Sequence, residues 1–228
     1  MVDKIEDEIN RKLFWIGHAS FYIKTNNSTI FLDPFKVSDA VREKADIILI
    51  THAHFDHCSK EDIEKVKKNE SKIISSNGCI NKGEYENVEI IEPGFKTFIN
   101  NIRIEAIPAY NIKPERLQFH PKANRWVGYI IDVDGLRFYH AGDTDFIPEM
   151  KKLENIDAAM LPIGGTYTMD VNEAIEAAKA INAKYTIPMH YKNLLGEANS
   201  KVAEETLKKA VKNTKIMKEV QKPTYAFK

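Results

Sequence analysis

Cysteine is nearly absent from this chain: Cys58 and Cys79 are the only two in 228 residues. They could pair, but two thiols make no disulfide framework, and a reduced, cytoplasmic protein is the simplest expectation. Charge of one sign is missing as well, since 33 Lys and Arg balance 33 Asp and Glu. That balance removes the long-range attraction behind nonspecific nucleic-acid binding, so nucleic acid is not an expected partner. No apolar run approaches the roughly 20 residues a membrane span needs. The best, residues 47–50, is strand-sized. Residues 1–12 alternate acid and base without the apolar stretch of a secretory signal. A proline-rich linker and a fixed-period repeat are also lacking. What is present, 43% hydrophobic and 29% charged residues, excludes a disordered or fibrous chain. The length suffices to bury a core, and one domain over residues 1–228 is expected.

Runs of apolar and β-branched residues predict strands at 12–16, 20–24, 29–32, 46–50, 72–75, 88–91, 96–99, 103–107, 127–133, 136–140, 158–161 and 185–189. Helical spacing predicts helices at 59–68, 147–153, 171–181 and 201–211. Two of these open with capping patterns, Ser59 with Asp62 and Asp170 with Glu173. Asp134-Gly135 marks a hairpin between two of the strands. Strands that later alternate with helices point to one layered α/β domain. The lysine-rich stretch 201–222 reads as a solvated helix face and its exit.

Histidine is scarce but placed. Seven occur, at positions 18, 52, 54, 57, 120, 140 and 190. The apolar run 47–50 breaks into Thr51-His52-Ala53-His54-Phe55-Asp56-His57, which puts four potential metal ligands within six residues. Alternation along a chain leaving a strand sends His52, His54 and Asp56 to one side. His57 turns with the chain and reaches a second position. Imidazole nitrogens with a carboxylate suit zinc, iron or manganese. Asp143 lies just past a predicted strand, in a glycine turn that projects a carboxylate at little steric cost. His190 ends another apolar strand.

His52-x-His54-x-Asp56-His57 after a hydrophobic strand resembles the signature of the metallo-β-lactamase superfamily. The resemblance extends through Gly17-His18-Ala19-Ser20-Phe21, Leu32-Asp33-Pro34-Phe35, Ala141-Gly142-Asp143-Thr144-Asp145, Leu161-Pro162-Ile163-Gly164-Gly165 and Pro188-Met189-His190-Tyr191. It is similar to the compact single-domain branch that includes L-ascorbate-6-phosphate lactonase-like proteins. The fold implied is a four-layer αβ/βα sandwich. The roles implied are His52 and His54 on a first metal, Asp56, His57 and His190 on a second, and Asp143 bridging both. The cofactor implied is divalent metal, Zn2+ before Mn2+ or Fe2+, with one or two ions.

One departure from the pattern stands out. The first metal of the superfamily takes a third histidine, and the matching segment Ile107-Pro108-Ala109-Tyr110-Asn111 holds none. His120 could replace it from the following loop or serve as an acid/base group. Tyr110 or Asn111 could bind weakly or position a water. Otherwise the centre is mononuclear, held by Asp56, His57, Asp143 and His190. Asp33 is expected to orient a motif histidine through its free ring N–H. His18 suits either a contact near the site or a structural bond, and His140 either a bond to a ligand carboxylate or core packing. Cys58 is expected to pack as a small apolar residue rather than to bind metal.

The expected function is metal-dependent hydrolysis of an ester, lactone or phosphodiester bond, with Asp56 as ligand and proton acceptor. Arg116, Lys122 and Arg125, interleaved with Phe119 and Trp126, suggest a small anionic substrate. A homo-oligomer is compatible with the sequence. The alternative is a non-catalytic metal- or ligand-binding member with a degenerate first site.

Overall fold

A computed structural model describes residues 4–221 of the chain. They gather into two units, one of residues 4–92 with 217–221 and one of residues 93–216.

The first unit opens with a short helix, α1 (Lys4–Lys12), that runs directly into β1 (Leu13–Gly17). Strands β2 (Ser20–Lys24) and β3 (Thr29–Leu32) complete an antiparallel meander. The chain then switches to parallel pairing through β4 (Ala45–Ile50), α2 (Lys60–Val66), β5 (Lys67–Ser76) and β6 (Val88–Ile91). The sheet order is β1-β2-β3-β4-β5-β6. A parallel strand covered on both faces needs continuous apolar residues, and Ile47, Ile48, Leu49 and Ile50 of β4 are all buried. Burying each contributes roughly 1.5–3 kcal/mol, which fixes the strand whose end carries the histidine motif. Ser59 caps α2 as its spacing predicts, accepting from the Asp62 amide. Asp62 itself reaches outward and accepts from the backbone N–H of Lys36 and Val37 at 2.8 and 2.9 Å.

The second unit holds β7 (Lys96–Ile99), β8 (Ile102–Pro108), β9 (Val127–Val133), β10 (Leu136–His140), β11 (Ala158–Pro162) and β12 (Tyr185–Met189), in the order β12-β11-β10-β9-β8-β7. β7 to β10 pair antiparallel, and β10, β11 and β12 parallel. The β9–β10 hairpin turns at Asp134 and Gly135, both at positive φ, as a two-residue primed turn requires. α3 (Val171–Ile181) begins with the full capping box of Asp170 and Glu173. α4 (Lys192–Ala210) follows β12.

Four expectations need correction. Helix α1 fell in a stretch read only for the absence of a signal; of its nine residues only Ile9 is buried, so its apolar pattern is faint. β5 starts at Lys67 rather than at residue 72, because its first residues are polar and mostly exposed and carry no apolar pattern. α4 starts at Lys192, where 201 was predicted, with Gly196 at φ 70° breaking the helical pattern between. The lysine-rich exit is not wholly solvated: Glu219 bridges to Trp15, and the Gln221 side chain bonds Ser38 and Lys36.

The cysteines are also paired. Cys58 and Cys79 form a disulfide, against the reduced reading, because the turn after β4 and the turn after β5 lie side by side in one parallel sheet. The bridge closes a loop of 21-residue separation, for which the entropy removed from the unfolded chain corresponds to about 3 kcal/mol. Cys58→Ser is therefore expected to lower stability by about that amount in denaturant unfolding. Wild type in a dithiol reductant should match it, and three coincident curves would show that the bridge contributes nothing.

Candidate metal centre

The histidine motif begins where β4 ends, and Asp33 directly follows the neighbouring strand β3. The Leu32–Leu49 register places Asp33 beside Thr51. Asp33 is fully buried, and its carboxylate collects three donors. Oδ1 accepts from the Thr51 amide at 2.7 Å, and Oδ2 accepts from the Thr51 hydroxyl at 2.6 Å and from His57 Nδ1 at 2.7 Å. A carboxylate can only accept, so His57 carries its proton on Nδ1 and keeps its lone pair on Nε2. The Thr51 hydroxyl has one proton, already given to Asp33. Its lone pair therefore meets His52 Nδ1 at 2.9 Å, which makes that nitrogen the protonated one too. One aspartate thus sets two imidazoles in the tautomer that offers Nε2 to a metal.

The rings themselves are packed together, His52 to His57 at 3.9 Å and His52 to His54 at 4.8 Å between centroids. Asp33, His52 and His57 bring possible ligand atoms within 4.8 Å of one another. Asp33 is better read as the orienting group than as a ligand, since its oxygens are already engaged. His18, at φ 52° just past β1, places Nε2 3.0 Å from Asp56 Oδ2. Phe55, next to Asp56 in the chain, is exposed and meets Phe35 edge-on.

In the second unit three predicted residues meet. Asp143 Oδ2 lies 3.0 Å from His190 Nε2 and 3.4 Å from His120 Nε2. Two ligand atoms on a tetrahedral ion with bonds of about 2.0–2.1 Å are themselves about 3.3 Å apart. These separations therefore suit atoms that share an ion, and nitrogen with carboxylate is the donor set that zinc and its neighbours take. Asp143 and His190 arrive from strand ends, and His120 from the loop between β8 and β9. β10 ends at His140, whose Nδ1 accepts from the Gly142 amide at 3.2 Å and so shapes the turn that presents Asp143. His190 follows β12 at φ 55°.

Carboxyl ends of parallel strands thus carry candidate residues in both units. A family model described as a β-lactamase superfamily domain matches residues 12–190. The chain belongs to the metallo-β-lactamase superfamily. The UPF0173 metal-dependent hydrolase of Thermoplasma acidophilum is 36% identical over 194 residues, 80% of this chain and 84% of its relative. That of Pyrococcus furiosus is 33% identical over 195 residues, 79% and 84% of the two chains. Among solved structures, a protein of Parabacteroides distasonis described as a metal-dependent hydrolase is 37% identical, with a TM-score of 0.80 over 92% of this chain and 93% of that one. The metallo hydrolase Igni18 of Ignicoccus hospitalis is 25% identical, with a TM-score of 0.71 over 91% and 95%. The fold is the metallo-β-lactamase α/β sandwich, and the protein is a metal-dependent hydrolase.

Within this superfamily the departure at Tyr110 acquires a physical account. The Tyr110 hydroxyl donates to Glu149 at 2.9 Å and accepts from Lys122 at 3.1 Å, so the ring is held by groups other than the candidate ligands. Burial raises its phenol above the ordinary value; the Lys122 bond opposes this and Glu149 adds to it. The phenolate a metal prefers is thereby disfavoured. Asn111 spends its amide on Asp145, Tyr167 and His120. The anionic-substrate expectation also narrows. Arg116 is buried and engaged with Asp145 and Glu173, and Lys122 lies 4.3 Å over the Tyr110 ring.

Sequence reasoning missed Thr51 and the buried Asp145 as structural partners of the site. Thr51 precedes the motif, and Asp145 closes the quoted Gly-Asp-Thr-Asp run, so both were in view. It also missed Gly164. A Cβ there would press into the His190 carbonyl oxygen and lie 2.7 Å from Leu194 Cδ1. Gly164→Ala is therefore expected to displace His190, destabilise by about 1–3 kcal/mol and weaken metal retention. A variant that holds metal as wild type does, measured by elemental analysis after dialysis, would refute this.

Proposed function

We propose that the protein hydrolyses an ester, lactone or phosphodiester bond of a small anionic substrate at a divalent-metal centre, Zn2+ before Mn2+ or Fe2+. His52, His54 and His120 would hold a first ion, and Asp56, His57 and His190 a second. Asp143 would bridge them. Membership of the superfamily supports joining these residues into one centre within one domain of residues 1–228. The observation that carries the reading is the donor set: Asp33 and Thr51 accept from Nδ1–H of His57 and His52, which directs Nε2 of both towards a metal.

Divalent ions bound there would supply Lewis acidity and lower the pKa of water from 15.7 towards about 7. The chain's own residues do the rest. Asp56 accepts the proton released by the attacking water, and His18 at 3.0 Å holds the carboxylate oriented for it. Lys122, whose side chain is largely exposed, can leave Glu149 at 3.6 Å to meet an anionic substrate group. His120 takes the place of the absent third histidine. The likeness to the lactonase-like branch supports a lactone or phosphorylated sugar among the substrates to be tried first.

Cytoplasmic placement belongs to the same proposal, with the Cys58–Cys79 bridge standing against it; among the described residues no helix is long and apolar enough to cross a membrane. Elemental analysis with a panel of lactones and bis(p-nitrophenyl) phosphate tests the function. Two equivalents of metal and chelator-sensitive turnover are expected. Metal-free protein, or turnover that survives complete chelation, would sink it.

A further inference from the structure

Asn111 was a weak candidate ligand in the sequence, yet its surroundings give it a different task. Its side chain is buried, and both the nitrogen and the oxygen of the amide are hydrogen-bonded. Nδ2 points at two groups that can only accept, Asp145 Oδ1 at 3.0 Å and the Tyr167 carbonyl at 3.1 Å. The amide is therefore oriented with Oδ1 towards His120 Nδ1, 2.8 Å away. An amide oxygen accepts, so His120 is protonated on Nδ1 and basic at Nε2. Nε2 is the nitrogen that lies 3.4 Å from Asp143. A backbone bond from Asn111 N–H to the His120 carbonyl, 2.8 Å, ties the same two residues together.

Asn111 is in turn held by a buried chain of charges. Asp145, with no exposure, accepts from the backbone N–H of Ile112 and Lys113 at 2.8 and 2.9 Å and pairs with Arg116 at 3.0 Å. Arg116 donates two bonds of 2.7 Å to Glu173, the residue that closes the capping box of α3, and also bonds the Thr168 carbonyl. Burial works to raise the Glu173 carboxyl, but the bonds from Arg116, the Asp170 amide and Lys113 outweigh it and hold the group below its ordinary value. Glu173 therefore stays ionised at neutral pH and anchors the chain to a helix start.

We propose that Asn111 is a positioning residue that fixes the tautomer and direction of His120, with Asp145, Arg116 and Glu173 as its buttress. The loop thus replaces the superfamily's strand-end histidine with a loop histidine and the amide that aims it. This rests on the reading of His120 as a ligand of the first ion. Leucine at 111 would leave the Nδ1–H of His120 facing a methyl group and free the ring to turn. Aspartate would keep an acceptor there, although it would face Asp145.

The test uses the full chain, stripped with chelator and titrated with zinc, alongside nitrogen-detected NMR of the histidine rings. Wild type is expected to show His120 protonated on Nδ1. Asn111→Leu should lose that tautomer and bind one of two zinc ions about 10–100-fold more weakly, the other being unchanged. Asn111→Asp should retain the tautomer, because its carboxylate still accepts from Nδ1–H, but should recover little affinity, since it sets acceptor against acceptor at Asp145 and the Tyr167 carbonyl. Adding Asn111→Leu to His120→Ala should cost nothing further at that ion, because the effect passes through the ring. His120 protonated on Nε2 in wild type would overturn the proposal without any variant. Unchanged zinc affinity and tautomer in a folded Asn111→Leu protein would do so too. If His120→Ala leaves zinc binding intact, the ligand reading fails, whereas an absence of turnover with zinc binding as described overturns only the proposed function.

Discussion

Asp143→Ala is expected to reduce hydrolysis by more than about 100-fold while leaving the protein folded. The lower bound follows from what removal of mere supporting partners costs in metal sites, about 10–100-fold; a residue that itself meets two histidines should cost more. Asp143 is buried beside His190 at 3.0 Å and His120 at 3.4 Å, so its loss removes the carboxylate that meets both imidazoles. The strand behind it is secured independently, by the β9–β10 hairpin and the parallel pairing of β10 with β11. Far-ultraviolet circular dichroism and the melting temperature should therefore change little. Activity within tenfold of wild type, in protein whose metal content is verified, would remove Asp143 from the centre.

The second large effect is expected at Asp33, which touches no candidate substrate position. Asp33→Asn keeps the shape but replaces one acceptor oxygen with a donor. Three donors now converge on that carboxylate: the Thr51 amide, the Thr51 hydroxyl and His57 Nδ1. An amide cannot accept from all of them, and whichever way it turns, an N–H meets an N–H or O–H in a fully buried place. Leaving a buried donor unsatisfied costs about 1–3 kcal/mol. The larger consequence is functional, since His57 loses the group that keeps its proton on Nδ1. His52 loses it too, through Thr51. Metal affinity is expected to fall about 10–100-fold, and activity at limiting metal with it. Excess zinc should recover part of the activity of Asp33→Asn but not that of Asp143→Ala. Equal recovery, or none in either, would show that Asp33 is more than an orienting group.

Why some of this was legible before folding and some was not comes down to the range of the interaction. The strands at 20–24, 29–32 and 127–133 depend on local apolar pattern, and so does the Asp134-Gly135 turn; all were readable residue by residue. The polar beginning of β5 was not, because pairing with β4 overrides a weak local signal, nor was the start of α4, where Gly196 interrupts the helical pattern. The disulfide escaped for a similar reason: nothing in the spacing of Cys58 and Cys79 says that the turns after β4 and β5 are neighbours.

The site divides in the same way. The donor types were legible before folding, since His52, His54, Asp56 and His57 fall within six residues and their chemistry needs no fold to be recognised. So was the gap at Tyr110. Folding settled where the protons sit on His52, His57 and His120, because each tautomer depends on which group faces the ring, and for His57 that group, Asp33, lies 24 residues away. It decided as well that Arg116 spends its charge on Asp145 and Glu173, 57 residues away in the case of Glu173. Composition counts a guanidinium as available; burial against two carboxylates makes it part of the scaffold.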